Sequence, residues 1–180
     1  MVKNIDPSQE KIIVVDEHNN EITQVTRATM RARTLIHRAT YILVFNSQGK
    51  LFVQKRTATK DIYPSYYEIA AGGIVLARES YELSATRELY EELGIENEHL
   101  TPLFDNFYDD GNNRVWGRVF TCTYDGPMQL QKEEVECGEF MTINTILEMM
   151  KTHSFCPDGR DILNRVIKEN MTPEAPSSTL

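Results

Sequence analysis

The chain has 180 residues, 41% of them hydrophobic and 26% charged, as expected of one globular domain with a sizeable apolar core. Its formal net charge of -8 argues against nucleic-acid polymers and anionic membrane surfaces as partners, because both are bound through clustered positive charge. Three widely spaced cysteines argue against a disulfide framework or structural zinc. With neither a membrane-length apolar run nor a signal-peptide core, the expected address is the cytoplasm.

In chain order, "KIIVVDEHNNEITQVT" reads as a hairpin around the turn formers His18, Asn19 and Asn20, followed by a short basic helix from Arg27 to Arg33. The β-rich runs Tyr41 to Phe45 and Leu51 to Gln54, split by Asn46, Ser47, Gln48 and Gly49, predict a second hairpin. A loop rich in turn formers and aromatics then leads through "EIAAGGIV" into a helix from Ser80 to Leu93, with Gly94 at its C-cap. At about 100° per residue this helix places Leu83, Thr86, Leu89, Tyr90 and Leu93 on one side and gathers Glu88, Glu91 and Glu92 on the other.

Downstream, "RVWGRVFTCTY" and "VECGEFMTI" read as strands. Asn144 to Lys151 and Gly159 to Lys168 read as helices, with Thr142 and Asp158 as N-caps. The expected organisation is a hairpin and short helix over residues 1–34 packed on a domain over 35–170, with a disordered tail over 171–180.

The gathered glutamates pose a physical question. Glu88 repels Glu91 and Glu92 across one helical turn, at about 0.2 to 0.5 kcal/mol for each pair. A solvated acidic face would tolerate that cost. A hard divalent cation, which prefers carboxylate and water oxygens, would reverse it.

The stretch from Gly73 to Ile95, "GIVLARESYELSATRELYEELGI", resembles the Nudix box, with Gly73, Glu79, Arg87, Glu88, Leu89, Glu91, Glu92, Gly94 and Ile95 filling its fixed places. The resemblance implies an α/β (α+β) fold, the Nudix α/β/α sandwich, with a mixed sheet between helices and the box forming loop, helix and loop. It also implies Mg²⁺-dependent hydrolysis, with Mn²⁺ as a substitute, of a diphosphate linkage in a small molecule, for example a nucleoside diphosphate linked to a moiety X. Glu88, Glu91 and Glu92 would hold the metal, with Glu92 ranked first. Glu88 is also a candidate general base, with Glu91 and Arg87 in the catalytic set. By the same resemblance Arg87 pairs with a neighbouring box glutamate, Gly73 and Gly94 serve backbone turns, Glu79 is a structural partner, and a homodimer is a family habit.

Outside the box, Glu134, flanked by Glu133 and Glu136, is the preferred further carboxylate. Lys55 and Arg56 are candidates for holding substrate phosphates. Tyr66, Tyr67 and Trp116 could stack on a base, Tyr67 being the one assigned to substrate binding, although such aromatics often belong to a core.

A second stretch, Leu35 to Ala70, is similar to isopentenyl-diphosphate isomerases, and through the motif His37-Arg38-Ala39 it implies His37 as a metal ligand. Gly72, however, aligns with the catalytic cysteine of those enzymes, and Ala71 stands where many Nudix members carry proline. A hydrolase is therefore expected, with an isomerase-like enzyme and a noncatalytic ligand sensor as alternatives.

Overall fold

Lys11–Val15 (β1) and Glu21–Thr26 (β2) form the N-terminal hairpin in a computed structural model that describes residues 6–173. The expected tail lies outside the described residues from 174 onward. Asp16 closes the hairpin turn by accepting from the backbone N–H groups of His18 and Asn20, while Asn19 takes a left-handed φ of 63°. Thr26 then caps Arg27–Arg33 (α1), its hydroxyl accepting from the Thr29 N–H.

The second expected hairpin forms only at its tip. His37–Phe45 (β3) and Leu51–Arg56 (β4) pair at Phe45 and Leu51 and then diverge. Along its whole length β3 pairs in parallel with Arg114–Thr123 (β7), from His37 opposite Val115 to Phe45 opposite Thr123. Tyr67–Glu68 (β5) and Val135–Met141 (β8) flank β4, both antiparallel, and Thr101–Asp109 (β6) borders β7. The result is an eight-stranded mixed sheet. Strand β6 has no counterpart in the sequence reading, because Pro102 interrupts it and its edge position leaves most of it exposed.

Ala71 to Gly73 enter the gap left by the divergence. Ile42 N–H donates to Ala71 O at 2.7 Å, Ala71 N–H to Ile42 O at 3.1 Å, and Thr40 N–H to Gly73 O at 2.9 Å. A proline at position 71 would forfeit the second of these bonds.

Helices cover both faces, as the sandwich requires. On one, Tyr81–Leu93 (α2) packs Ala85, Leu89 and Leu93 against Ile42, Val44 and Phe120. On the other, Ile143–Met149 (α3) and Pro157–Lys168 (α4) pack Ile146, Ile162, Leu163 and Val166 against Leu43, Phe45 and Val119. Among the described residues no helix is long and apolar enough to cross a membrane.

Two expectations are corrected. On α2, Leu83 and Tyr90 face solvent at 64% and 53% exposure, whereas Glu88 and Glu92 are buried with Leu89 and Leu93. The helix presents its acidic residues to the site at the expense of two apolar ones. Asp158 does not cap α4 either. The helix starts at Pro157 with Cys156 in the cap position, and buried Asp158 accepts from the Tyr41 hydroxyl at 2.7 Å.

Candidate active site

Helix α2 is pinned at both ends. Ser80 Oγ accepts from the Leu83 N–H, and Gly94 takes a left-handed φ of 68° while its N–H bonds back to the last turn. Between these caps the 3.6-residue period turns Glu88 and Glu92 inward and leaves Glu91 at the rim.

Arg87 organises the acidic cluster. Its Nε and Nη2 grip Glu79 in bidentate fashion at 2.8 and 2.9 Å, and its Nη1 donates to Glu88 Oε1 at 2.7 Å and Glu91 Oε2 at 3.0 Å. Glu79 in turn accepts from the Leu76 N–H at 3.1 Å. The repulsion anticipated between Glu88 and Glu91 is thus offset by a guanidinium shared between them.

Glu88 and Glu92 are 9% and 1% exposed. Burial pushes the Glu88 carboxyl up to about 7 despite Arg87, with Glu91 and Glu134 adding to the rise. Burial, followed by the neighbouring carboxylates Glu68 and Glu88, also raises the Glu92 carboxyl well above the ordinary range. Glu92 Oε2 accepts from Gln54 Nε2 at 3.0 Å and from the Gly72 N–H at 3.1 Å, and among the described residues Oε1 has no hydrogen-bond donor.

The paired glycines make this approach possible. A Cβ at Gly72, whose φ is +148°, would lie 2.0 Å from Thr40 O, and one at Gly73 would lie 2.5 Å from Glu88 Oε1. Gly73 therefore serves close contact with a carboxylate rather than a turn, while Gly94 is the expected turn residue. A cysteine at position 72 is sterically barred. Cys122 and Cys156 are buried, Cys137 is exposed, and none of the three lines the cavity described next.

Arg87, Glu88, Glu91 and Glu134 line one cavity together with Arg56, Lys60 and Glu68. Glu92 lies just behind its wall. Arg56 donates to Glu68 at 2.9 Å and to Ile62 O at 3.1 Å, and Lys60 contacts Glu134. His37 lines the same cavity at 2% exposure. Its Nδ1 faces Leu35 O at 3.2 Å, so Nδ1 carries the proton and Nε2 the lone pair. Burial and the nearby Arg31 push the His37 pKa down to about 3, which keeps the ring neutral.

Two predicted residues stand apart. Lys55 pairs with Glu136 at 3.0 Å, and Tyr67 stacks on Phe155 at 5.4 Å between ring centroids; neither lines the cavity. Trp116 packs on Phe107. Conversely, the sequence reading missed Lys60, Glu68, Arg31, Asn113 and Asp158 as cavity residues. Only Arg31, within the basic run, carried any signal.

Among the described residues no group of three or more His, Cys, Asp or Glu side chains is gathered as a ready-made metal cage. The chemistry of the donor set nevertheless fits a hard divalent ion, since Glu88, Glu91, Glu92 and Glu134 offer only oxygen ligands.

Comparison with known proteins bears on the same residues. The family model for the NUDIX domain matches residues 35–164. A Pseudomonas aeruginosa protein described as the uncharacterized Nudix hydrolase PA4841 is 44% identical over 154 residues, covering 86% of this chain and 91% of that one. The crystal structure of DR0079 from Deinococcus radiodurans superimposes with a TM-score of 0.76 at 22% identity, over 87% of this chain and 98% of the other. The NUDIX domain of Shewanella oneidensis NrtR, solved with ADP-ribose, superimposes with a TM-score of 0.61 at 15% identity, over 82% and 100%. With strands β3 to β8, the box helix and the acidic cluster inside the matched span, the chain belongs to the NUDIX domain family.

Proposed function

We propose that this cavity hydrolyses a diphosphate linkage in a small molecule with the help of Mg²⁺ or Mn²⁺. One juxtaposition carries the reading: box carboxylates Glu88 and Glu91 share a cavity with Arg56 and Lys60, so groups suited to a divalent cation lie beside groups suited to phosphate oxygens.

Glu88, Glu91 and Glu92 would hold the ion, with Glu134 as a further ligand once Lys60 turns to substrate. When bound, such an ion supplies neutralisation of the diphosphate charge and a lowered pKa for water. His37 keeps a free lone pair on Nε2, yet Arg31 and Arg27 disfavour a cation beside it, so the carboxylates are the better ligands. Arg56 and Lys60 orient phosphate oxygens. Arg87 holds Glu88 Oε1 in place, which leaves Oε2 to take the proton of the attacking water.

A nucleoside diphosphate linked to a second moiety is the preferred substrate class, consistent with the ADP-ribose bound to the NrtR domain of the same fold. We place the enzyme in the cytoplasm and treat a homodimer as the assembly to test. The isomerase-like alternative is disfavoured by the barred side chain at Gly72, and the sensor by the complete box.

The test is a screen of nucleotide sugars, dinucleotides, nucleoside triphosphates and prenyl diphosphates with Mg²⁺ or Mn²⁺, comparing wild type with Glu92→Gln. Glu92→Gln is expected to lower kcat by at least about a hundredfold on the preferred compound. Equal rates for both proteins on every compound, with tight binding of one, would replace the hydrolase by the sensor. Isomerisation of isopentenyl diphosphate without phosphate release would revive the isomerase.

A further inference from the structure

The cavity has a second cluster of charge, and part of it comes from outside the span matched by the family. Arg27 and Arg31 lie one turn apart on α1, ahead of residue 35 where that span begins. Both line the cavity, with His37, Asp61 and Asn113 around them.

Two like charges at this spacing repel, and their compensation is weak. Arg31 Nε reaches Asp61 at 3.1 Å, Arg31 Nη1 reaches Asn113 Oδ1 at 3.3 Å, and Arg27 Nη2 reaches the same Asp61 oxygen at 3.3 Å. Glu10 stands 3.6 Å from Arg27. Arg87, by contrast, closes on its three glutamates at 2.7 to 3.0 Å. Yet the Arg31 side chain is only 20% exposed, so water does little for its remaining donors.

Further donors in the same wall are unmet. Arg56 Nε and Thr40 Oγ1 are buried and have no hydrogen-bond partner among the described residues, although Arg56 is 7% and Thr40 1% exposed. Burial, reinforced by Arg27 and Arg56, holds the Arg31 guanidinium below its ordinary pKa even with Asp61 beside it. Asp61 is shared by two arginines, and although Glu68 holds Arg56 Nη1 and Glu10 stands near Arg27, the unmet Arg56 Nε and Thr40 Oγ1 beside them suit an anion rich in oxygens. The cavity's volume of about 140 Å³ leaves room for such a group.

We propose that Arg31, assisted by Arg27, forms a phosphate-binding subsite on the N-terminal helix that selects the substrate, with Asp61 as an internal counter-ion that the substrate's anion displaces. The arginine fork turns from Asp61 to two phosphate oxygens, and Arg56 Nε supplies a third donor. Arg31 is a positioning residue for the anhydride presented to the box. The proposal rests on the hydrolase reading for the identity of the cavity as the substrate site.

The experiment is calorimetric titration of the full-length, metal-free protein with inorganic pyrophosphate, alongside steady-state kinetics on the best substrate of the screen. Wild type is expected to bind. Arg31→Gln should weaken binding about tenfold, Arg31→Lys should restore part of the loss, and Asp61→Asn should tighten binding about threefold by removing the competitor. Arg165→Gln, which alters an exterior pair with Glu169, should change nothing. In kinetics Arg31→Gln should raise KM about tenfold and leave kcat within about twofold.

A merely structural role would make Asp61→Asn neutral or harmful to binding, and that result overturns the subsite. So does absence of pyrophosphate binding to wild type at millimolar concentration. Pyrophosphate binding with the predicted variant pattern, but without hydrolysis of any diphosphate, would leave the subsite standing while the hydrolase reading falls. Hydrolysis with Arg31→Gln unchanged in both KM and pyrophosphate affinity would do the reverse.

Discussion

Gly72→Ala tests the tightest constraint in the site. The new Cβ would sit 2.0 Å from the Thr40 carbonyl oxygen, a backbone atom in the middle of β3 that has no rotamer by which to escape. Relief requires lifting residues 71–73 away from β3. That movement breaks the paired bonds between Ile42 and Ala71 and the bond from Thr40 to Gly73, at about 1 kcal/mol each. The φ of +148° adds about 1 to 2 kcal/mol for any residue with a side chain. The expected loss is about 4 to 5 kcal/mol, and Glu92 loses the Gly72 N–H that now fixes its carboxylate. Urea denaturation monitored by far-UV circular dichroism measures the shift in midpoint at constant m. Gly111→Ala is the internal control, since its φ is +83° but nothing lies within 4 Å of the new Cβ, so it should lose only the backbone contribution of about 1 to 2 kcal/mol. If the two variants unfold at the same urea concentration, the close approach to Thr40 does not constrain the site and the reasoning is wrong.

Three other outcomes are expected. His37 is held neutral in the fold, with its pKa lowered from 6.5 to about 3, so its contribution is intact above pH 6.5 and is lost as pH falls through that window, where the unfolded chain takes up a proton that the fold refuses. The stability difference between wild type and His37→Asn should therefore shift in favour of the variant by up to about 1.4 kcal/mol per pH unit below 6.5, read from urea midpoints between pH 7 and 4; parallel curves would remove His37 from the buried neutral class. Glu92 has the opposite sign, because a raised pKa gives stability that is full below 4.5 and declines as pH rises. In metal-free buffer Glu92→Gln should therefore gain at least about 1 kcal/mol over wild type on going from pH 4.5 to 8, and a gain that shrinks with pH would contradict the assigned burial. For the packing of α2, Leu89→Ala should cost about 3 kcal/mol and Leu83→Ala under about 0.5, as measured by thermal or chemical unfolding; comparable losses would restore the helical face expected from periodicity.

The misreading of that face shows where local pattern stops being informative. Leu83 and Tyr90 belong to an apolar arc by periodicity, but the sheet meets α2 along an arc that includes Glu88 and Glu92. Burial of carboxylates beside Arg87, Gln54 and the glycine backbone outweighed the pull of two apolar side chains, which is a violation of amphipathic pattern expected at a functional site. The caps at Thr142 and Gly94 were legible because each cap bond joins residues no more than five apart. Asp158 misled for a tertiary reason, since the Tyr41 hydroxyl claims its side chain.

The sequence by itself determined the α2 helix, its limits and the order of Arg87, Glu88, Glu91 and Glu92 along it, because helical period and capping are set by neighbours in the chain. Only the tertiary structure decided which cations face those carboxylates. Arg31, Arg56, Lys60 and Glu134 reach one cavity because β3 leaves β4 for a parallel pairing with β7 and lets residues 71–73 into the gap. Such pairings join strands more than seventy residues apart through backbone groups that every residue carries alike, and so they leave no local trace in side-chain order.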